Sequence, residues 1–400
     1  MNNLFIPSFV KDPSWPDNIK KEFLSQLHKF MAYLTEVSHK QQNFTELYIP
    51  NEDLADSEAA QQDKDLIQRL ETTLIYWYRQ IKEVVNNQDS SHESENAGPL
   101  EEIKYWRSRK ENLSYIDEQL EKEELKKITS LLHVVDSSYV KSFKELTKNI
   151  KIGSIEAEDN LLFLKSLYDP CKKLGESTPQ EIPSLLPDLL NRVRMIWEKS
   201  KYYKTPERIS GLLHKISNEI ILRCRETINI NDMLDGNVEK CMQDLENSID
   251  CGKLWRTCYD RTALLINKKT KNKGWDFNLN SIFAQVDAFV QRCHELKDIC
   301  EGQLQFARKG SDNQLPHFGG SRGPEIVNIL EEIKLAFRKY IDKIRNSEDI
   351  KDKILDVKAS KWHDEFNIFK NGMKDLDVMY KNIINSAFES VTTVEQGNFI

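Results

Sequence analysis

An all-α chain, built as an elongated succession of helical bundles, is what three features of this sequence predict. Glycine and proline are scarce, at 14 and 12 of 400 residues. Charged residues make up 30%, with Glu and Lys interspersed, which is the composition of solvated helix faces. Apolar residues recur at alternating three- and four-residue steps over long stretches, the pattern of one buried helix face. The departure expected from this rule is FTELYIP, residues 44–50, a short β-prone, strand-like piece.

Taken in order, the helices justify themselves by spacing. After the Pro-broken FIPSFVKDPSWPD, a helix is expected over 18–37, with Phe23, Leu27, Phe30, Leu34 and Val37 on one face. A second is expected over 65–85, with Ile67, Leu70, Leu74, Trp77, Ile81 and Val84 at three- and four-residue steps. Residues 86–98, NNQDSSHESENAG, read as a linker. Gly98 then ends what precedes, and Pro99 suits a first helical position, where its missing N–H has no partner to lose. Glu101 and Glu102 favour the positive end of that helix, and Ile103, Trp106, Leu113, Ile116 and Leu120 share its apolar face. Shorter amphipathic pieces follow at 125–135, 139–150 and 161–168.

Residues 169–187 carry Pro170, Pro179, Pro183 and Pro187, and no helix is expected to run through them. Helices resume over 185–197. Thr205-Pro206 reads as a cap and a first-position proline before Ile209, Leu213, Ile216, Ile220 and Cys224. A helix over 233–265 has weak points at Gly236 and Gly252, and KKTKNKGWD, residues 268–276, reads as a basic turn. Ile282, Val286, Phe289, Cys293, Leu296 and Cys300 keep the spacing, and QLPHFGGSRGPE makes a Gly/Pro loop. Ile326 to Ile344 and Trp362 to Ala387 complete the series. This spacing favours helices packed at shallow angles, in bundles.

Chemistry is hard to find. The net charge is −7 and the pI about 5.8, where a nucleic-acid binder would show a basic face. No run of 18 apolar residues suggests a membrane span, and the first residues lack a signal-peptide pattern. No G-x-x-x-x-G-K-[ST] phosphate loop occurs. GGSRG, residues 319–323, fits G-x-S-x-G, but a nucleophile elbow needs a strand before it and a helix after it in an α/β sheet. Ser321 therefore reads as loop, and a hydrolase is the weakest reading. Seven cysteines, at 171, 224, 241, 251, 258, 293 and 300, read as reduced core thiols. The seven-residue spacing of Cys251 with Cys258, and of Cys293 with Cys300, is too wide for the usual zinc pairs. Trp77, Trp106 and Trp362 lie on apolar stripes and read as core. Lys201-Tyr202-Tyr203-Lys204 and Lys268–Lys273 are the better surface candidates. No catalytic residue, cofactor or metal is expected.

The wording carries further than the spacing. GPLEEIKYWRSRKENLSYIDEQL closely resembles the opening of the N-terminal tail region of axonemal dynein heavy chains. So do SWPDNIKKEF through LYIP, LLPDLLNRVRMIWEKSKYYKTPERISGLLHKISNEII, SIFAQVDAFVQRCHELKDICEGQLQFAR, FGGSRGPEI and the stretch from ILDVKASKWHDEF to TVEQG. The motif residues are Gly98, Pro99, Trp106, Arg107, Trp197, Phe283, Gln285, Phe289, Gly319, Gly320, Gly323, Pro324 and Trp362, all expected to be structural. The resemblance implies a non-catalytic tail segment of a microtubule motor. It implies assembly with other dynein heavy chains and with intermediate and light chains, and indirect anchoring on axonemal doublet microtubules. No nucleic acid or membrane is implied, and the location would be cytoplasm, cytoskeleton and the axoneme of a cilium or flagellum. Its domains would be residues 1–64, the end of an N-terminal tail subdomain; 65–168, a first tail bundle; 169–187, a Pro-rich break; and 188–400, further tail bundles cut short at the C-terminus. An independent helical scaffold or adaptor is the alternative.

Overall fold

A computed structural model describes residues 14–16, 18–27, 30, 46–50, 57–91, 96–234, 236–269, 275, 277–306, 323–346, 354–357 and 361–388. Among them every regular element is helical. Residues 18–27 are helical. Then come α1 (Ser57–Gln62), α2 (Lys64–Ser91), α3 (Pro99–Leu120), α4 (Glu123–Val134), α5 (Ser138–Glu176) and α6 (Ile182–Lys199). They are followed by α7 (Pro206–Thr227), α8 (Ile230–Leu234), α9 (Val238–Lys269), α10 (Leu279–Phe306), α11 (Gly323–Asn346) and α12 (Trp362–Phe388). The chain divides into two compact units. One is residues 1–95 with 100–165; the other is 96–99 with 166–400.

In the first unit α2 begins at a side-chain cap. Asp63 Oδ1 accepts the backbone N–H groups of Asp65 and Leu66 at 3.0 and 3.1 Å, satisfying donors that the first turn leaves over. Leu66, Leu70, Leu74, Trp77 and Ile81 then line the buried face of α2. They join Leu113 and Ile116 of α3, Leu125, Ile128 and Leu132 of α4, and Val140, Phe143 and Ile150 of α5 in one core. Between α4 and α5 the chain reverses at Asp136, which has φ 56°. Ser137 N–H reaches back to the Leu132 carbonyl, and Asp136 N–H to that of His133. This double closure satisfies the last carbonyls of α4, with aspartate where glycine is commoner.

The second unit packs α9 against α6, α7 and α10, α10 also against α7, and α11 against α12. At the α11–α12 crossing a Cβ on Gly372 would lie 2.4 Å from the Tyr340 ring. No larger residue fits there without movement of the ring.

Four expectations are corrected. Residues 46–50 form no strand, and 44–45 lie outside the described residues. The segment instead lies along the helices of its unit: Leu47 N–H donates to Gln119 Oε1 at 2.6 Å, and the Tyr48 carbonyl accepts from Trp77 Nε1 at 2.7 Å. Side chains supply the partners that a neighbouring strand would have supplied. The Pro-rich break narrows to residues 177–181, because Pro170 lies inside α5 and Pro187 inside α6. Pro170 cannot donate to the Ser166 carbonyl one turn back. Arg192 Nη1 donates to that carbonyl instead, at 2.9 Å. The expected linker at 86–98 is helical as far as Ser91, since its polar residues carry only small helix penalties once a long helix is propagating. Finally, the pieces at 139–150 and 161–168 belong to the single helix α5, whereas the helix expected over 233–265 divides into α8 and α9. Gly236 N–H bonds the Asn231 carbonyl at that division.

Candidate functional site

Four buried clusters gather many of the motif residues. The first is built on Glu219 of α7, in the second unit. A Cβ on Gly98 would stand 2.7 Å from Glu219 Oε2, so glycine permits this approach. Asn218 Nδ2 donates to the Ala97 carbonyl at 3.2 Å. Arg223 pairs with Glu219 at 3.2 Å and with Glu226 at 2.8 Å, and donates to the Gly175 carbonyl at 2.8 Å. The guanidinium thus closes the C-terminal end of α5, where carbonyls lack helical partners. Burial, and then the Glu219 charge, push the Cys171 thiol up to about 12. Pro99 opens α3 as expected.

The second cluster is on α3. Trp106 is buried and donates Nε1–H to Glu102 Oε1 at 2.9 Å. The edge of this contact is Tyr105, T-shaped against Trp106 at 5.1 Å, whose hydroxyl accepts from Arg109 Nη1 at 3.0 Å. Arg107 points to solvent.

The third is a row of rings in the second unit. Trp197 meets Trp275 at 5.6 Å and Phe277 at 6.1 Å. Trp275 meets Tyr259 at 6.1 Å, Tyr259 meets Phe283 at 5.2 Å, and Phe283 meets Trp255 at 5.9 Å. Most contacts are edge-on or tilted, the arrangement that ring quadrupoles favour. Trp255 donates to Ser217 Oγ at 2.9 Å. Trp197 and Phe283, far apart in sequence, are therefore members of one packed row, and Phe289 is buried further along α10.

The fourth surrounds Arg292 on α10. This arginine is only 6% exposed. It stacks on the Trp362 ring at 4.7 Å, pairs with Glu295 at 3.5 Å, and donates to the carbonyls of Ile354 and Asp356. Trp362 Nε1 also donates to Glu295. Burial pulls the guanidinium pKa below its ordinary value, and Glu295 opposes that pull. A buried charge needs this many partners. Gln285, on the same helix, is half-buried and lines a cavity of about 200 Å³ with Asn96, Arg225 and Asp356.

Gly323 and Pro324 are the first two residues of α11. Gly319, Gly320 and Ser321 lie outside the described residues. Of the surface candidates, Lys201 and Lys204 are exposed, but Tyr203 is buried at 1%, a correction to the reading of that turn. Tyr202 carries Arg208 over its ring at 3.9 Å. Lys268 is exposed, and 270–273 lie outside the described residues. Six cysteines are buried and Cys258 is partly so. Their spatial pairs differ from the sequence pairs: a hydrogen bond with Cys224, then burial, pushes the Cys251 thiol up, and Cys241 does the same to Cys300. Cys251 and Cys300 are thereby held in the protonated form. Among the described residues no three His, Cys, Asp or Glu side chains gather as metal ligands, and no helix is long and apolar enough to cross a membrane.

The Glu219 and Arg292 clusters escaped the reading of the sequence. Arg292 had left a trace, since it falls three residues after Phe289 on an otherwise apolar stripe. Glu219 and Arg223 had left none, because an i, i+4 ion pair usually marks a solvated face.

Residues 67–398 match the family described as dynein heavy chain, N-terminal region 1. The chain is 46% identical over 390 residues to the Dynein-1-beta heavy chain, flagellar inner arm I1 complex, of Chlamydomonas reinhardtii, which covers 98% of this chain and 8% of that one. It is 34% identical over 400 residues to Dynein axonemal heavy chain 2 of Mus musculus, 99% of this chain and 7% of that one. It is 27% identical over 391 residues to the Dynein beta chain, flagellar outer arm, of Chlamydomonas reinhardtii, 95% of this chain and 8% of that one. The chain thus spans less than a tenth of the length of these relatives.

Proposed function

The chain belongs to the dynein heavy chain family, matching its N-terminal region, and from that premise we propose that it is a non-catalytic tail segment of an axonemal inner-arm heavy chain. The observation that carries the reading is the 46% identity across 98% of the chain to a heavy chain named for the inner arm I1 complex. The identity to an outer-arm beta chain is 27%, which favours the inner arm. The two units are then successive bundles of the tail. Their role is passive: helices packed through apolar stripes make a stiff support, and exposed strips on it dock other heavy chains, intermediate chains and light chains. Anchoring to doublet microtubules is indirect, through those partners, and the place of work is the axoneme of a cilium or flagellum. Nucleotide chemistry belongs to other parts of the heavy chain, since no phosphate loop occurs in these residues.

The test is to recover the chain, immobilised and folded, from ciliary extract and to identify what binds by mass spectrometry. Recovery of inner-arm heavy or intermediate chains supports the reading. Recovery of outer-arm components alone overturns the arm assignment, and recovery of an unrelated complex overturns the assembly role in favour of a separate scaffold.

A further inference from the structure

The cavity beside Gln285 lies wholly within the second unit and is built from four separate pieces of chain. Asn96 belongs to the short segment ahead of α3, Asn218 and Arg225 to α7, Gln285 to α10, and Asp356 to the segment between α11 and α12. Two of these pieces are fixed by bonds already described. Asn218 holds the Ala97 carbonyl, and Arg292 holds the carbonyls of Ile354 and Asp356. The space is therefore preformed, as ligand cavities usually are. The polar part of its lining is not spent on the fold. The Arg225 side chain makes no ion pair or hydrogen bond with any described residue, Asp356 included, and the side chains of Gln285 and Asn96 make none either. Arg223, two residues earlier on α7, is the contrast, with two carboxylates and a carbonyl as partners. Arg225 and Gln285 are half-buried. Polar groups so placed are satisfied by water or by a ligand.

The lining selects the occupant. One guanidinium offers a planar fork of donors, the match to a carboxylate. Asp356 offsets its charge and repels a bare polyanion such as phosphate. The carboxamides of Asn96, Asn218 and Gln285 each carry donors and an acceptor, which is what a peptide group needs. A free amino acid has no peptide group to use them. The rest of the lining is aliphatic, with Ile221, Leu222, Leu355 and Val357, and suits one apolar side chain. We propose that this cavity binds the C-terminal end of a peptide whose last residue is aliphatic. The terminal carboxylate lies on Arg225, the last peptide groups lie among the carboxamides, and the aliphatic side chain lies against Ile221, Leu222 and Val357. At about 200 Å³ the cavity is smaller than the roughly 300–1,000 Å³ of most ligand sites. It takes the end of a chain rather than a long segment, and it binds weakly. The inference does not depend on the tail assignment, because it rests on the chemistry of the lining alone.

Isothermal titration of the full 400-residue chain with the tripeptide acetyl-Ala-Val-Leu, its carboxylate free, tests the proposal. Saturable binding with a dissociation constant of about 0.01–1 mM is expected. The same tripeptide with a C-terminal amide should bind at least about tenfold more weakly, since it loses the charge-assisted pair with Arg225. Free leucine should also bind at least about tenfold more weakly, since it has no peptide group for the carboxamides. Arg225→Gln should weaken the tripeptide at least about tenfold and abolish its preference over the amide. Gln285→Ala should weaken it about threefold. Neither side chain bonds a described residue, and unchanged circular dichroism confirms the folding of each variant. Absence of saturable binding at millimolar tripeptide overturns the proposal. So does an amide or free leucine that binds as tightly as the tripeptide, and so does binding indifferent to Arg225→Gln.

Discussion

The two units solve the same problem with different materials. The core of the first is largely aliphatic, with Leu66, Leu70, Leu74, Ile81, Leu113, Ile116, Leu125, Ile128 and Leu132 packed around Trp77 and Phe143. The second also has aliphatic stripes, but between them it sets a row of six rings, a buried arginine and all seven thiols. An aliphatic stripe needs only the right spacing and volume. Rings with N–H groups and a buried guanidinium need particular partners at particular distances. Substitutions in the second unit should therefore be costlier and less forgiving than similar ones in the first.

The largest effect should come from Trp255→Ala. It empties an indole-sized space beside Phe283 and leaves Ser217 Oγ without its donor. A loss of about 3–5 kcal/mol is expected, against about 2–4 kcal/mol for Leu70→Ala in the first unit. Urea denaturation, with peptide-resolved hydrogen exchange to assign each transition, measures both. Equal costs, or a larger one for Leu70→Ala, would break the contrast. Gly372→Ala comes next. The added methyl would meet the Tyr340 ring at 2.4 Å, and the expected cost is about 1–3 kcal/mol. A gain in stability would mean that the ring moves aside easily and that the α11–α12 crossing is not tightly fitted. Within the first unit, Trp77→Phe keeps most of the buried ring but takes the donor from the Tyr48 carbonyl. About 1–2 kcal/mol should be lost, with faster exchange confined to residues 46–50.

The same division explains what was legible beforehand. The aliphatic stripes of α2 and α3 could be read almost in full from periodicity, although Leu66 rather than Ile67 opens the buried face of α2. The core thiols could be read too, but not their neighbours: Cys224 meets Cys251 and Cys241 meets Cys300 across different helices, a fact that sequence spacing does not contain. Pro170 misled because a helix can hold a proline where the carbonyl it orphans finds another donor, and Arg192, 22 residues later, supplies one. The strand-like expectation for residues 46–50 failed for a similar reason. β-propensity reports fit to a partner, and the partners here are Gln119 and Trp77. Of the clusters, Trp197 and Phe283 were singled out by family wording, but their union through Trp275, Tyr259 and Phe277 depends on tertiary contacts.

The smallest prediction concerns charge and separates the units by pH. In the first unit, hydrogen bonds from Lys126 and then Lys151 hold the Glu121 carboxyl down to about 2, from an ordinary 4.5. The distances are 2.8 and 2.5 Å, and all three side chains are well exposed. A carboxyl whose folded pKa is depressed stabilises the fold where it is ionised. Its contribution is complete above about pH 4.5 and is lost as the pH falls towards 2. Glu121→Gln should therefore lower the stability of the first unit slightly around neutral pH, and the deficit should shrink to nothing in acid. Salt should shrink it too, because exposed pairs are screened. In the second unit burial holds Cys171 at about 12, so this thiol titrates nowhere in that range and Glu121→Gln should leave exchange in α9 and α10 unchanged. A deficit that persisted undiminished into acid would show that the substitution costs packing rather than charge. The first unit's surface network would then be as geometric in character as the second unit's core.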